Sequence, residues 1–119
     1  MDSILTSIKK LLGIAPDYEH FDPDIIMHIN SVFMILQQLG VGPAAGFYII
    51  DEDATWYDFM PYAIQLEAVK TYMYMKVRLA FDPPASSAAL QAMERQVSEL
   101  EWRLNAAVDP APTNNVVTN

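Results

Sequence analysis

The chain has no cysteine among its 119 residues. Disulfides, thiol catalysis and cysteine-based zinc sites are excluded, and an intracellular origin is allowed. Long apolar runs are missing too, since none approaches the roughly 20 residues that a membrane span needs. No secretory leader is expected, because Lys9 and Lys10 follow the first apolar residues instead of preceding a long apolar stretch. Basic residues are scarce, 7 Lys and Arg against 15 Asp and Glu. Tight nucleic-acid binding sets several cations against phosphates, so this balance argues against a DNA-binding module. It leaves open a protein that DNA merely passes. The deficit is uneven: residues 1–60 hold 2 basic and 9 acidic side chains, residues 61–119 hold 5 and 6.

What is present is apolar surface. Hydrophobic residues make up 52% of the chain and the mean hydropathy is +0.12. With only 18% charged residues, this hints at faces buried against something outside the chain. The length fits one domain that can bury about two-thirds of its unfolded surface. Residues 1–108 read as a single helical domain. Residues 109–119 follow as a proline-rich tail without periodicity, uncharged after Asp109 and expected to be extended or disordered.

Four helices are predicted. The first covers residues 3–12, with Asp2 or Ser3 as cap, Ile4, Leu5, Ile8, Leu11 and Leu12 on one face, and Lys9 and Lys10 where the helix dipole favours cations. The second runs from an Asp22 cap and Pro23 to about Leu39, is apolar on several faces, and stops at Gly40. Residues 40–54 form a loop in which Phe47–Ile50 reads as a short strand, and Thr55–Asp58 then reads as a capping box with Asp in place of Glu. That box opens either a single turn ending at Pro61 or the third helix itself. The third helix spans about residues 61–80 and carries two stripes. Ala63, Leu66, Val69, Met73, Val77 and Ala80 form one; Tyr72, Met75 and Leu79 form the other. Asp82-Pro83-Pro84 makes a rigid corner. Ser86 or Ser87 then caps a fourth helix over about residues 87–107, whose seam is Leu90, Met93, Val97, Leu100, Leu104 and Ala107. Glu99 and Arg103 are spaced for an ion pair, and Trp102 lies off the seam, with its own pocket or its own partner.

No catalytic constellation emerges. Asp17, Glu19, His20 and Asp22 are metal-ligand types set close together, but ligands must converge from fixed geometry, so the stretch reads as a solvated loop ending in a cap. Asp51, Glu52 and Asp53 lack the alternation and glycine of a calcium loop and read as an exposed acidic turn. His28 reads as a buried or interface histidine, since no Ser or Cys motif accompanies it. "GVGPAAG" follows a helix and lacks the Gly-Lys-Ser/Thr ending of a phosphate loop. The Tyr-Met rows suit core or adaptable contact surfaces more than a cofactor site. No cofactor and no metal are expected.

The stretch "KTYMYMKVRLAFDPPASSAALQAMERQVSELEWRLN", residues 70–105, resembles the C-terminal half of the small head–tail connector (adaptor) proteins of tailed bacteriophages and prophages. Its matching features are the Y-x-Y-x-K-V-R-L helix, the FDPP corner, the serine after it and the closing E-x-E-W-R-L-N. "SILTSIKKLLGI" at 3–14 and "FDPDIIMHINSVFMILQQLGVGP" at 21–43 resemble the N-terminal half, so the likeness covers about residues 3–108. The order and spacing of these features are more specific than any one of them.

The resemblance implies an all-α, four-helix bundle-like subunit of the virion neck, made in the bacterial cytoplasm, with no enzymatic step. It implies a homo-oligomeric ring of about twelve copies on the portal, joined by heterologous contacts. The ring would extend the DNA channel and offer a platform to the next neck, stopper or tail protein, with no membrane involved. Tyr72, Met75, Leu79, Leu100, Trp102 and Leu104 are then candidate subunit or partner contacts, and Val116 and Val117 candidate tail-docking residues. The acidic balance suits a channel wall that repels phosphates. Two other readings compete: a small acidic phage regulator that inhibits a host factor, and a metal-dependent enzyme built on Asp17, Glu19, His20 or residues 51–53.

Overall fold

A computed structural model describes residues 2–61 and 65–108. The fold is all-α, as expected. Among the described residues there are five helices and no strand: α1 (Ile4–Leu11), α2 (Asp22–Gln38), α3 (Trp56–Phe59), α4 (Leu66–Phe81) and α5 (Ser87–Val108). The tail and Ala63 lie outside the described residues.

Helix α1 is capped by Ser3, whose hydroxyl accepts from the Thr6 amide at 3.2 Å. Ile4, Leu5 and Ile8 are buried, as their spacing predicts, while Leu12 at the cap is half-buried and Leu11 is exposed; Lys9 is buried too, only 2% exposed. Its ammonium donates to the carbonyls of Pro16 at 3.0 Å and Tyr18 at 2.7 Å. It also lies 2.8 Å from Asp22 Oδ1, an ion-pair distance outside the angular range of a hydrogen bond. This triple anchorage folds the 12–21 connection back over α1.

The same contact corrects the start of α2. Asp22 is its first residue and Phe21 its cap, without a side-chain cap bond. The Asp22 carboxylate turns towards Lys9 and still places negative charge at the positive end of the helix. Ile25, Ile29, Val32, Phe33 and Leu36 are buried along α2. The helix ends at Leu39, and Gly40 follows with φ +85°, a left-handed conformation that suits glycine.

Phe47–Ile50 is not a strand. Asn30 on α2 takes the place of a partner strand, because its carboxamide accepts from the Ile49 amide at 2.8 Å and donates to the Ile49 carbonyl at 2.9 Å. Ile49 is thereby buried, and Phe47 packs edge-on against Phe33 and Phe59. The chain then crosses α1 through a single antiparallel bridge, Ser3 to Thr55, with Ile4 N to Ala54 O at 3.0 Å and Trp56 N to Asp2 O at 3.2 Å.

The predicted Thr55–Asp58 capping box is present, and of its two foreseen outcomes the single turn is the one formed. That turn is α3. It drives Trp56 fully into the core, where the indole N–H donates to Ser7 Oγ at 2.8 Å. Met60 is extended and Pro61 follows, so the next helix starts at Leu66 and not at residue 61.

Helix α4 touches α1, α2 and α5, and this resolves its excess of apolar faces. Val69, Met73 and Val77 are fully buried, and Ala80 at the far end is exposed. Each buried side chain of this size contributes roughly 1.5–3 kcal/mol by leaving water. Phe81 packs edge-on against Phe21 at the start of α2, with ring centroids 5.3 Å apart. After the proline corner, Ser86 caps α5, its hydroxyl accepting from Ala89 N at 3.2 Å. Of the α5 seam, Val97 and Leu104 are buried and Leu90, Met93 and Leu100 half-buried, while Ala107 is exposed. No helix among the described residues is long and apolar enough to cross a membrane.

Candidate functional site

The two acidic stretches of the sequence meet in space. Glu19 from the connection before α2 and Asp22 at its first position, with Asp51, Glu52 and Asp53 from the long loop, line one open cleft of about 350 Å³ beside Leu5, Ile26 and Ile50. Asp22 is engaged by Lys9, and Asp51 Oδ1 accepts from the Asp53 amide at 2.8 Å, closing a local turn. Among the described residues no three His, Asp or Glu side chains come together as metal ligands do. His20 stacks in the Tyr18–His20–Phe21 aromatic run outside this cleft, and half-buried His28 packs against Phe81 at 6.4 Å between ring centroids. The cleft is an acidic surface. It does not assemble a nucleophile, base and oxyanion partner.

The residues expected at subunit contacts separate into three groups. Tyr72, Met75 and Leu104 are buried within the chain itself. The Tyr72 hydroxyl donates to Glu101 Oε2 on α5 at 2.6 Å, and burial, then the hydrogen bond and charge of Glu101, push its pKa well above the usual phenol value. Met75 shares a cleft between α4 and α5 with Leu100, Gln96 and Arg103. The cover expected for these two side chains from a neighbour is thus supplied by α5. Leu79 and Leu100 form a second, half-buried group, Leu79 bordering α2 beside His28, Val32 and Ile35. Trp102 stands alone. It is 71% exposed among the described residues. The Glu99–Arg103 ion pair lies nearby on the same helix at 2.6 Å. Val116 and Val117 lie outside the described residues.

A second exposed apolar set was not singled out from the sequence. Met27 and Met34 project from α2, and Tyr48 and Ile50 from the long loop, all more than half exposed. Met27 and Met34 do stand off the main α2 stripe, and Tyr48 and Ile50 alternate with buried Ile49, so the signal was there as an apolar residue without an inward partner.

Among its described residues the chain is all-α and leaves several large apolar side chains on its surface. No curated protein and no solved structure matches the chain. A family model described as phage connector protein matches residues 4–111, nearly the whole chain, and the protein belongs to that family.

Proposed function

We propose that this protein is a structural component of the phage neck that assembles as a ring on the portal, prolongs the DNA channel and receives the next neck or tail protein. The observation that carries the reading is the connector-family match across residues 4–111. Trp102 supports it: an indole left 71% exposed on the longest helix is the kind of side chain that anchors a partner once desolvated. A ring needs two different faces per subunit. Trp102 is a candidate for one, and the exposed Met27, Met34, Tyr48 and Ile50 set is a candidate for the other. The acidic cleft suits a surface past which DNA slides, since like charge keeps phosphates from lodging. The reading contains no catalytic step.

The test is mass in solution by light scattering, with and without the portal ring from the same genome. A free ring, or a portal complex carrying about a dozen added copies, is expected. Trp102→Ala should lower the affinity by roughly 2 kcal/mol, about thirtyfold, while leaving the thermal melt unchanged. A strict monomer that ignores the portal would sink the proposal. The acidic cleft would then favour a regulator that occupies a basic surface on a host protein.

A further inference from the structure

The Asn30–Ile49 clamp has a second consequence. Both the amide and the carbonyl of Ile49 face Asn30, as in a residue paired across a β-ladder. In extended backbone, successive residues direct these groups to opposite sides, so those of Tyr48 and Ile50 face away from α2. Among the described residues they make no hydrogen bond. Their side chains are 71% and 74% exposed. This is a short extended segment, not a ladder strand, paired with Asn30 on one side and with its outward backbone groups unpaired up to the bend at Ile50, an arrangement that an added strand can complete.

We propose that this edge receives residues 114–118 of a second copy of the chain, added as a β-strand. Two observations select that occupant. Asp51, Glu52 and Asp53 follow the edge directly and would repel an acidic peptide, whereas residues 110–119 carry no charged side chain and include the β-branched Val116, Val117 and Thr118. The second observation is where the tail begins. Asn105 donates to the Leu39 carbonyl at 3.2 Å, and a Cβ on Gly40 would lie 2.9 Å from Val108, so α5 ends beside the end of α2. The open edge lies back along α2, beside Asn30 and Phe33. A tail docking on its own chain would have to reverse at once, through Asp109-Pro110-Ala111-Pro112. Residues preceding proline are held extended and proline-rich segments are stiff, which opposes that reversal. Fully extended, eleven residues reach at most about 36 Å, which bounds how far away a second copy's edge can lie. This contact lies between copies and is independent of portal binding.

Hydrogen exchange of the full chain, followed at the Tyr48 and Ile50 amides from dilute to concentrated solution with light scattering in parallel, tests the idea without any portal. Exchange at both amides should slow about tenfold or more as mass rises. The double change Val116→Pro and Val117→Pro, which removes strand donors outside the helical domain, should abolish that slowing and leave the thermal melt intact. Three results would overturn the proposal: no slowing at any concentration, slowing that survives the proline variant, or protection already complete in the monomer. The last would mean that the chain's own tail fills the edge.

Discussion

Residues 2–61 and residues 66–108 both have buried backbone to satisfy, and they do so by different means. In the second region the work is done by helix ladders, with α4 against α5 along a regular seam closed at the corner by the Ser86 cap. In the first, much of the chain is irregular, and isolated polar side chains reach across it. Lys9 holds the Pro16 and Tyr18 carbonyls, Asn30 holds both polar groups of Ile49, and Ser7 accepts from the Trp56 indole. A ladder spreads its stability over many equivalent bonds, whereas a clamp concentrates it in one side chain. Single polar substitutions should therefore be far more damaging in the first region than in the second.

Lys9→Met should break the comparison hardest. It keeps the length and apolar stem but leaves the Asp22 carboxylate and two carbonyls without their cation. Removing one partner of a buried pair strands the other, and a loss of about 3 kcal/mol in unfolding free energy is expected from urea titration. A loss below about 1 kcal/mol would mean that water replaces the ammonium, and that the clamp is no stronger than an exposed pair.

Lys9 also shows where sequence reading stops. Its position in the last turn of α1 pointed only to a place where the helix dipole favours a cation. Burial came instead from a loop folding back, a long-range event that leaves no periodicity. The same holds for Trp56, whose capping box was legible from Thr55 and Asp58 while its destination in the core was not. By contrast α1, α2 and α5 were legible to within a residue or two, since spacing and caps are local. The two stripes of α4 were legible as stripes. That α5 covers Tyr72 and Met75 depends on how the proline corner folds α5 back, which no pattern within α4 encodes.

Asn30→Ala sharpens the contrast at intermediate cost. Two hydrogen bonds are lost and the buried Ile49 amide and carbonyl are left unpaired, so about 2 kcal/mol is expected. The loss should be spatially confined. Limited proteolysis should open the chain near residues 47–50 while the α4–α5 amides keep their protection in hydrogen exchange. Uniform loss of protection would show that the two regions unfold as one unit and that the clamp stabilises the whole.

The smallest effect belongs to the regular region and can be isolated by pH. Tyr72→Phe removes the bond to Glu101 but leaves the ring in place, and Glu101 is only half-buried and can turn to water. About 1 kcal/mol should be lost at neutral pH. The folded phenol has its pKa raised, by burial first and by Glu101 second, above the value of about 10 that it has when unfolded. Its contribution is therefore complete below about pH 10. It is lost as pH rises further, because the unfolded chain releases the proton while the folded one retains it. Plotted against pH, the stability difference between the parent and Tyr72→Phe should be level up to about pH 10 and then shrink. The other tyrosines cancel in that difference. If the difference stayed level through the alkaline range, the phenol would titrate alike in both states. Whatever Tyr72→Phe costs would then not come from a phenol bond to the Glu101 carboxylate, because that bond disfavours the phenolate and must make the difference pH-dependent.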